Sequence, residues 1–161
     1  MKEKIEEVKK FLIESNKVGY AGGENRKWVK EIDHSTTIAY ENGDWKFNDN
    51  FFGGEPYGGR EVVFYQNKPV WLMVYYGLIS DKSLDKNIVY KFLQSALMTG
   101  PADLPLRGPD HVEQEIDGRK WVYKNNVIGT MENFSGQEKI FIDGHEIFYT
   151  NYSGGLVDER K

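Results

Sequence analysis

Two glutamates, Glu61 and Glu138, are the residues whose type and setting most invite chemistry. In the run Glu-Lys-Ile-Phe-Ile-Asp from residue 138 to 143, a strand period of two puts Glu138 in one row with Ile140 and Ile142. Glu61 falls likewise with Val63 and Tyr65. A carboxylate heading an apolar row either meets a basic partner, for which Arg60, Arg107 and Arg119 are candidates, or lines a pocket. A hydrolytic carboxylate pair needs a separation of roughly 5 to 9.5 Å, which sequence does not supply, so a structural ion pair is the plainer reading. Large rings crowd the same region: Trp45, Phe51, Phe52, Tyr57, Trp71, Tyr75 and Tyr76. Trp and Tyr need a partner for their polar atom when buried, so some of these rings are expected to line a concave face. Trp45, Tyr57, Glu61, Tyr75, Arg107 and Glu138 form the candidate ligand-binding set, with no catalytic residue among them.

Other chemistries find little support. His34, His111 and His145 have no metal-ligand spacing, and the pair His111 and Glu113 on one strand face is too little for a site, so neither metal nor cofactor is expected. No serine sits in a nucleophile elbow, and the glycines match neither a P-loop nor a dinucleotide fingerprint. Gly53, Gly54, Gly58 and Gly59 read as loop and bulge glycines. Cysteine is absent, which removes disulfides and thiol chemistry and fits a reducing compartment. A net charge of −4 argues against nucleic-acid binding by the chain alone. No apolar run reaches the ~18 residues of a membrane span, and residues 1–14 lack the apolar core and cleavage site of a signal peptide, so a cytoplasmic location is expected.

The elements that must position these residues read as follows. Residues 2–16 carry the helical stripe Ile5, Val8, Leu12, with Phe11 at its edge, and Gly19 to Gly23 break it. Residues 24–35 are polar and read as a surface loop anchored by Trp28. Strands follow over 36–41 and from Trp45, with a tight turn at Asn42-Gly43 between them. A Gly-rich loop spans 53–59, and a hairpin joins 60–66 to 70–76. In its second arm Val70, Leu72 and Val74 alternate with Trp71, Met73 and Tyr75, which predicts a strand central in its sheet or covered on both faces. A helix over 84–99 takes Ser83 as its N-cap, with Asp85 in the first turn, and stops at Gly100-Pro101. Three prolines exclude helix and central strand from 101–110. Strands then run over 111–116, 119–126 and on through Phe134, with turns at Asp117-Gly118, Ser135-Gly136 and Asp143-Gly144.

Two segments resemble each other. Trp45, Phe47, Asn50 and Gly53 align with Trp121, Tyr123, Asn126 and Gly129, and Tyr75 and Gly77 with Tyr152 and Gly154. The reading is a duplication: one domain over 1–161 made of pseudo-repeats at about 2–80 and 84–157, each a helix plus four antiparallel strands. The expected class is α+β, with helices packed on antiparallel sheet and a ligand site between the halves.

Phe52-Gly53-Gly54-Glu55, Gly59-Arg60-Glu61-Val62-Val63, Pro69-Val70-Trp71-x-Met73-x-Tyr75-Tyr76-Gly77 and Leu104-Pro105-Leu106-Arg107-Gly108-Pro109 resemble a bacterial family known as a domain of unknown function. Its members stand alone or follow an Xre-type helix-turn-helix. The resemblance covers about residues 10–157 and is most specific in the Leu-Pro-Leu-Arg-Gly-Pro run. The fused members imply a sensor or effector-binding role, and the family supplies no catalytic residue. The expected function is therefore non-catalytic binding of a small molecule or peptide. The alternative is a protein-interaction module of inhibitor or antitoxin type, and an enzyme is the reading with least support. Oligomeric state is open.

Overall fold

Tight turns set the frame. Gln66-Asn67, Asp117-Gly118 and Asp143-Gly144 hold positive φ at both positions, the geometry whose twist matches that of paired antiparallel strands. The computed structural model describes residues 2–20, 27–101 and 104–158. Its helices are α1 (Lys2–Tyr20) and α2 (Lys86–Leu97). Its strands are β1 (Lys27–Lys30), β2 (Thr36–Asn42), β3 (Trp45–Gly53), β4 (Tyr57–Tyr65), β5 (Lys68–Ile79), β6 (His111–Ile116), β7 (Arg119–Thr130), β8 (Asn133–Ile142) and β9 (His145–Leu156). All nine join one antiparallel sheet in the order β1-β2-β3-β4-β5-β9-β8-β7-β6.

This corrects the expected α+β class. Strand, not helix, dominates, and two helices are present among the described residues. In place of helix-plus-four-strand halves packed together, β5 pairs directly with β9, with Tyr75 opposite Tyr152. The reason is backbone chemistry: each of these 12-residue strands would otherwise leave one row of N–H and C=O groups unpaired.

Local expectations shift as well. The 24–35 stretch contains strand β1, whose Trp28 stacks edge-on against Phe51; α1 runs past the predicted end at 16 and through Gly19 and Tyr20 of the predicted break, and residues 21–26 lie outside the described residues. Gly58 and Gly59 belong to β4, leaving a short loop at 54–56. The β7–β8 turn falls at Met131-Glu132, and Ser135 and Gly136 lie inside β8. Asp85, not Ser83, caps α2, accepting a hydrogen bond from the Asn87 N–H, while the Ser83 hydroxyl donates to Asp81.

The sheet has one covered face. On β5, Trp71, Met73, Tyr75 and Ile79 are buried, whereas Val74 and Tyr76 on the opposite side are 45% and 50% exposed. The strand is central, as its composition suggests, but covered on one side only. Helix α1 places Ile5, Val8, Phe11 and Leu12 on this inner face with Phe47, Val63, Trp71 and Phe134. Helix α2 places Val89, Phe92, Leu93 and Ala96 with Trp121, Tyr123, Ile140 and Phe148. The Trp71 indole N–H, buried among these rings, donates to the Met131 carbonyl at 3.1 Å.

Because Leu12 is 1% exposed at the centre of the α1 stripe, Leu12→Ala is expected to lower the unfolding free energy by about 2–5 kcal/mol. The exposed Lys10→Ala should stay within about 0.5 kcal/mol. Urea titration followed by circular dichroism checks both.

Candidate ligand-binding site

Polar side chains occupy three successive rungs of the inner face, between the two apolar clusters. Register places Tyr57, Gly77, Thr150, Glu138 and Asn125 side by side on β4, β5, β9, β8 and β7. The next rung holds Gly59, Tyr75, Tyr152 and Gly136, and the one beyond holds Asp49, Glu61 and Met73. Glycine at two positions lets rings lie across the sheet. A Cβ on Gly77 would sit 2.4 Å from Thr150 Oγ1 and 3.0 Å from Tyr57 Oη, and one on Gly136 would sit 2.2 Å from the Tyr152 ring. Tyr57 can thus cross β5 to reach the Thr150 hydroxyl at 2.9 Å, and Tyr152 can cross β8 to donate to Asn125 Oδ1 at 2.6 Å.

Into this layer comes Arg107, from the proline-interrupted segment that forms neither helix nor strand among its described residues. Its backbone is left-handed, with φ of 67°, an unusual conformation for a residue with a Cβ. The turn points the guanidinium inward, and the side chain as a whole is 8% exposed. Nε donates to Glu138 Oε2 at 2.8 Å, Nη1 lies 4.0 Å from Glu61 Oε1, and the group sits 5.7 Å from the centre of the Tyr75 ring. Glu138 is fully buried and also accepts from the Tyr123 hydroxyl at 2.6 Å. The same loop is fixed at two further points. The Gly108 N–H donates to Tyr123 Oη, and Asn125 Nδ2 donates to the carbonyls of Leu106 and Gly108. On the other flank, Tyr75 donates to Asp49 Oδ1 at 2.5 Å.

The layer therefore holds three carboxylates: Glu61 and Glu138 face the guanidinium, and Asp49 accepts from Tyr75. Burial, reinforced by the neighbouring carboxylates, pushes the phenols of Tyr75 and Tyr123 well above the ordinary tyrosine value. Burial raises Tyr57 and Tyr152 too, with Glu138 adding to the effect. These hydroxyls stay protonated near neutrality, so none is a base or a nucleophile there.

Above the layer lies a groove of about 250 Å³, walled by Tyr90, Leu93, Gln94 and Leu97 of α2 and floored by Asp49, Phe51, Tyr57, Tyr75 and Arg107. Its end is braced by Glu55, which accepts from the Ile79 N–H, Lys82 Nζ and the Tyr90 hydroxyl. Burial pushes the Glu55 carboxyl up, but the Tyr90, Ile79 and Lys82 contacts outweigh it and hold it below the usual range.

Of the six residues singled out by sequence, Tyr57, Tyr75 and Arg107 line the groove, and Glu61 and Glu138 lie against Arg107. Trp45 does not join them. It shares the inner face but packs on Phe11 of α1 and on Tyr65, about 13 Å along β3 from Asp49 at the strand rise. Asp49, Tyr123, Asn125, Thr150 and Tyr152 were absent from that set. Asp49 and Asn125 had a legible signal, a polar residue inside an apolar alternation (Phe47, Asp49, Phe51 and Tyr123, Asn125, Val127). Of the other two candidate cations, Arg60 projects from the opposite face of β4 and Arg119 pairs with Asp143 at a turn. The three histidines lie outside this layer, and no cluster of three His, Asp or Glu side chains suited to a metal occurs among the described residues.

Residues 49–157 match the family described as Domain of unknown function (DUF5680). No curated protein and no solved structure matches the chain. Within the described residues no helix is long and apolar enough to cross a membrane.

Two outcomes are expected from the layer itself. Glu138→Gln removes the nearer of the two carboxylates facing the buried guanidinium and should cost about 3 kcal/mol in urea titration, Arg107→Met a similar amount, and the double variant clearly less than their sum. Alkaline pH should act through the phenols. Their folded pKa values are raised, so their contribution is complete below the unfolded value of about 10 and is lost as pH climbs beyond it. Tyrosinate absorbance from Tyr57, Tyr75, Tyr123 and Tyr152 should therefore appear only together with loss of the strand circular-dichroism signal.

Proposed function

From a chain that belongs to the DUF5680 family, whose description states no activity, we propose a non-catalytic module that binds a small molecule in the groove between α2 and β3–β5. The observation that carries this reading is the groove's make-up. Three tyrosine rings and Phe51 offer apolar faces, while Arg107 and Asp49 stand at the floor as the polar end. Such a mixture, apolar walls with a few convergent polar groups, is typical of ligand sites, although 250 Å³ lies just below the usual ~300–1,000 Å³. The ligand is therefore small and flat, with an apolar body against the rings and a hydrogen-bonding end toward Arg107. Preorganisation supports the same reading, since the tyrosine hydroxyls on the floor are already tied to Thr150 and Asp49 and need not reorder on binding. A sensor role would follow if binding were relayed through the loop that carries Arg107. The protein-interaction alternative draws on the uncovered sheet face, where Val74 and Tyr76 are half-exposed.

A thermal-shift screen of metabolites tests the proposal, because a ligand at 100 times its Kd adds about 2.7 kcal/mol to stability. Gln94 is exposed at the groove wall, so Gln94→Trp should fill the opening, leave the unliganded melting temperature nearly unchanged and abolish the ligand-induced rise. A hit whose stabilisation survives Gln94→Trp would place binding elsewhere, and flat responses with a co-purifying protein would favour the alternative.

A further inference from the structure

Both helices pack on the inner face of the sheet, and the centre of the outer face is unlike the rest of the chain in composition. Register stacks three outer rungs across β3, β4, β5, β9, β8 and β7. One runs from Phe52 through Tyr76 to Asn126, the next from Asn50 through Val74 to Ile128, and the third from Asn48 through Leu72 to Thr130. Although 29% of the chain is charged, Arg60 is the one charged residue at these positions. Charge resumes on either side of the block, at Lys46 and at Lys139. Phe52, Val74, Tyr76 and Ile128 stand on it with 45–67% of their surface exposed. Depletion of charge together with exposed aromatic and aliphatic side chains is the make-up of an interface core, not of a solvated face.

The block has relief. A Cβ on Gly58 would sit 3.0 Å from the Tyr76 ring, so the missing side chain lets that ring lean across β4 toward Phe52. With Val74 beside them, these side chains raise a ridge over β3–β5. On the other half Ser153 and Ser135 occupy β9 and β8, leaving a trough that Ile128 closes on β7. Ridge and trough lie on opposite sides of the junction between β5 and β9. Size and charge both point to a second copy as the occupant. Strands about 4.8 Å apart and rungs about 7 Å apart make a block of roughly 29 by 20 Å, so two copies meeting on it cover on the order of 1,200 Å² in total, the lower end of stable interfaces. A chain of net charge −4 repels its own copy over much of its surface, and this near-neutral block is where that repulsion is least.

We propose that the chain pairs with a second copy of itself through this outer face, about a two-fold axis parallel to the strands and above the β5–β9 junction. That axis lays β3–β5 of one copy over β7–β9 of the other, so each ridge enters a trough and the sheets pack about 10 Å apart. Val74 seats against the partner's Ser153. Arg60 meets the partner's Ser135 and Gln137, whose oxygens are neutral acceptors. Ile32, fully exposed on the loop that stands over β2–β4, is carried toward the partner's Ile128. The two most exposed large apolar side chains then cover each other.

Sedimentation equilibrium of the full chain at about 100 μM should give twice the chain mass, as expected for a Kd in the micromolar range or below. Val74→Glu gains Arg60 as its cross-strand neighbour in the single copy, so the fold should persist while the dimer Kd rises roughly tenfold or more. Ser153→Arg, which fills the trough, should act the same way and serves where Val74→Glu does not fold. Lys10→Glu, exposed on α1, should leave the dimer unchanged. The chain has no cysteine, so cross-linking can report the arrangement. Arg60→Cys and Ser135→Cys, made in separate chains, mixed and treated with a short bis-maleimide, should join to each other more than either joins to itself. A single-chain mass at about 100 μM, a dimer unmoved by both Val74→Glu and Ser153→Arg, or Arg60→Cys joining chiefly to itself would overturn the proposal.

Discussion

The structure depends on one buried guanidinium. Arg107 reaches the middle of a strand-built core from a segment with no regular structure of its own, and the alternative to its contact with Glu138 is a carboxylate with no exposure at all. A charge so placed is tolerable only when a partner and further hydrogen bonds replace the lost water. Glu138 has both, from Arg107 and from the Tyr123 hydroxyl. The pairing also explains the loop. Three prolines deny it a helix or a ladder, so its position comes from Arg107, from buried Leu106, and from the Asn125 and Tyr123 side chains that bond its backbone. Remove the charge pair and the loop loses its anchor; loosen the loop and the carboxylate loses its counter-charge.

Around that contact the inner face is divided. The α1 cluster and the α2 cluster are each ordinary apolar packing, yet the three rungs between them carry Asp49, Glu61, Glu138, Thr150, Asn125 and three tyrosines. Glycine makes this feasible, because a tyrosine can lie flat across a strand that has no side chain at the crossing point. The groove beside α2 is a consequence of the same geometry. Where rings lie flat and the helix is propped on Tyr90 and Leu93, the layer between them is left partly unfilled.

Part of this was legible in the sequence. The alternation around Glu138 and Glu61 puts both carboxylates on the core side, and the low exposures of 0% and 8% agree with it. The turn residues marked most hairpins because positive φ selects Asn, Asp and Gly. What sequence could not supply was pairing over distance. Whether two strand groups pack as halves or join edge to edge is decided by the contact of β5 with β9, far apart in sequence, and no local pattern encodes it. Trp45 illustrates the same limit. Its face was readable, but whether a helix covers that end of the strand was not, and α1 does. Strand β1 was hidden for another reason, since four residues flanked by polar sequence carry too short an alternation to register.

The polar layer also fixes which pairing is possible at all. In a sheet with one covered face, slipping a strand by a single residue turns its whole inner row outward. For β8 that slip would expose Ile140 and Ile142 and bury Lys139 and Phe141, while leaving Arg107 without the carboxylate it requires. Apolar burial penalises the slip through every side chain of the row at once. The charge pair adds the cost of a buried guanidinium and a buried carboxylate taken apart. The same rungs that shape the floor of the groove thus hold the strands beneath it to one alignment, and binding geometry and fold specificity rest on a common set of contacts.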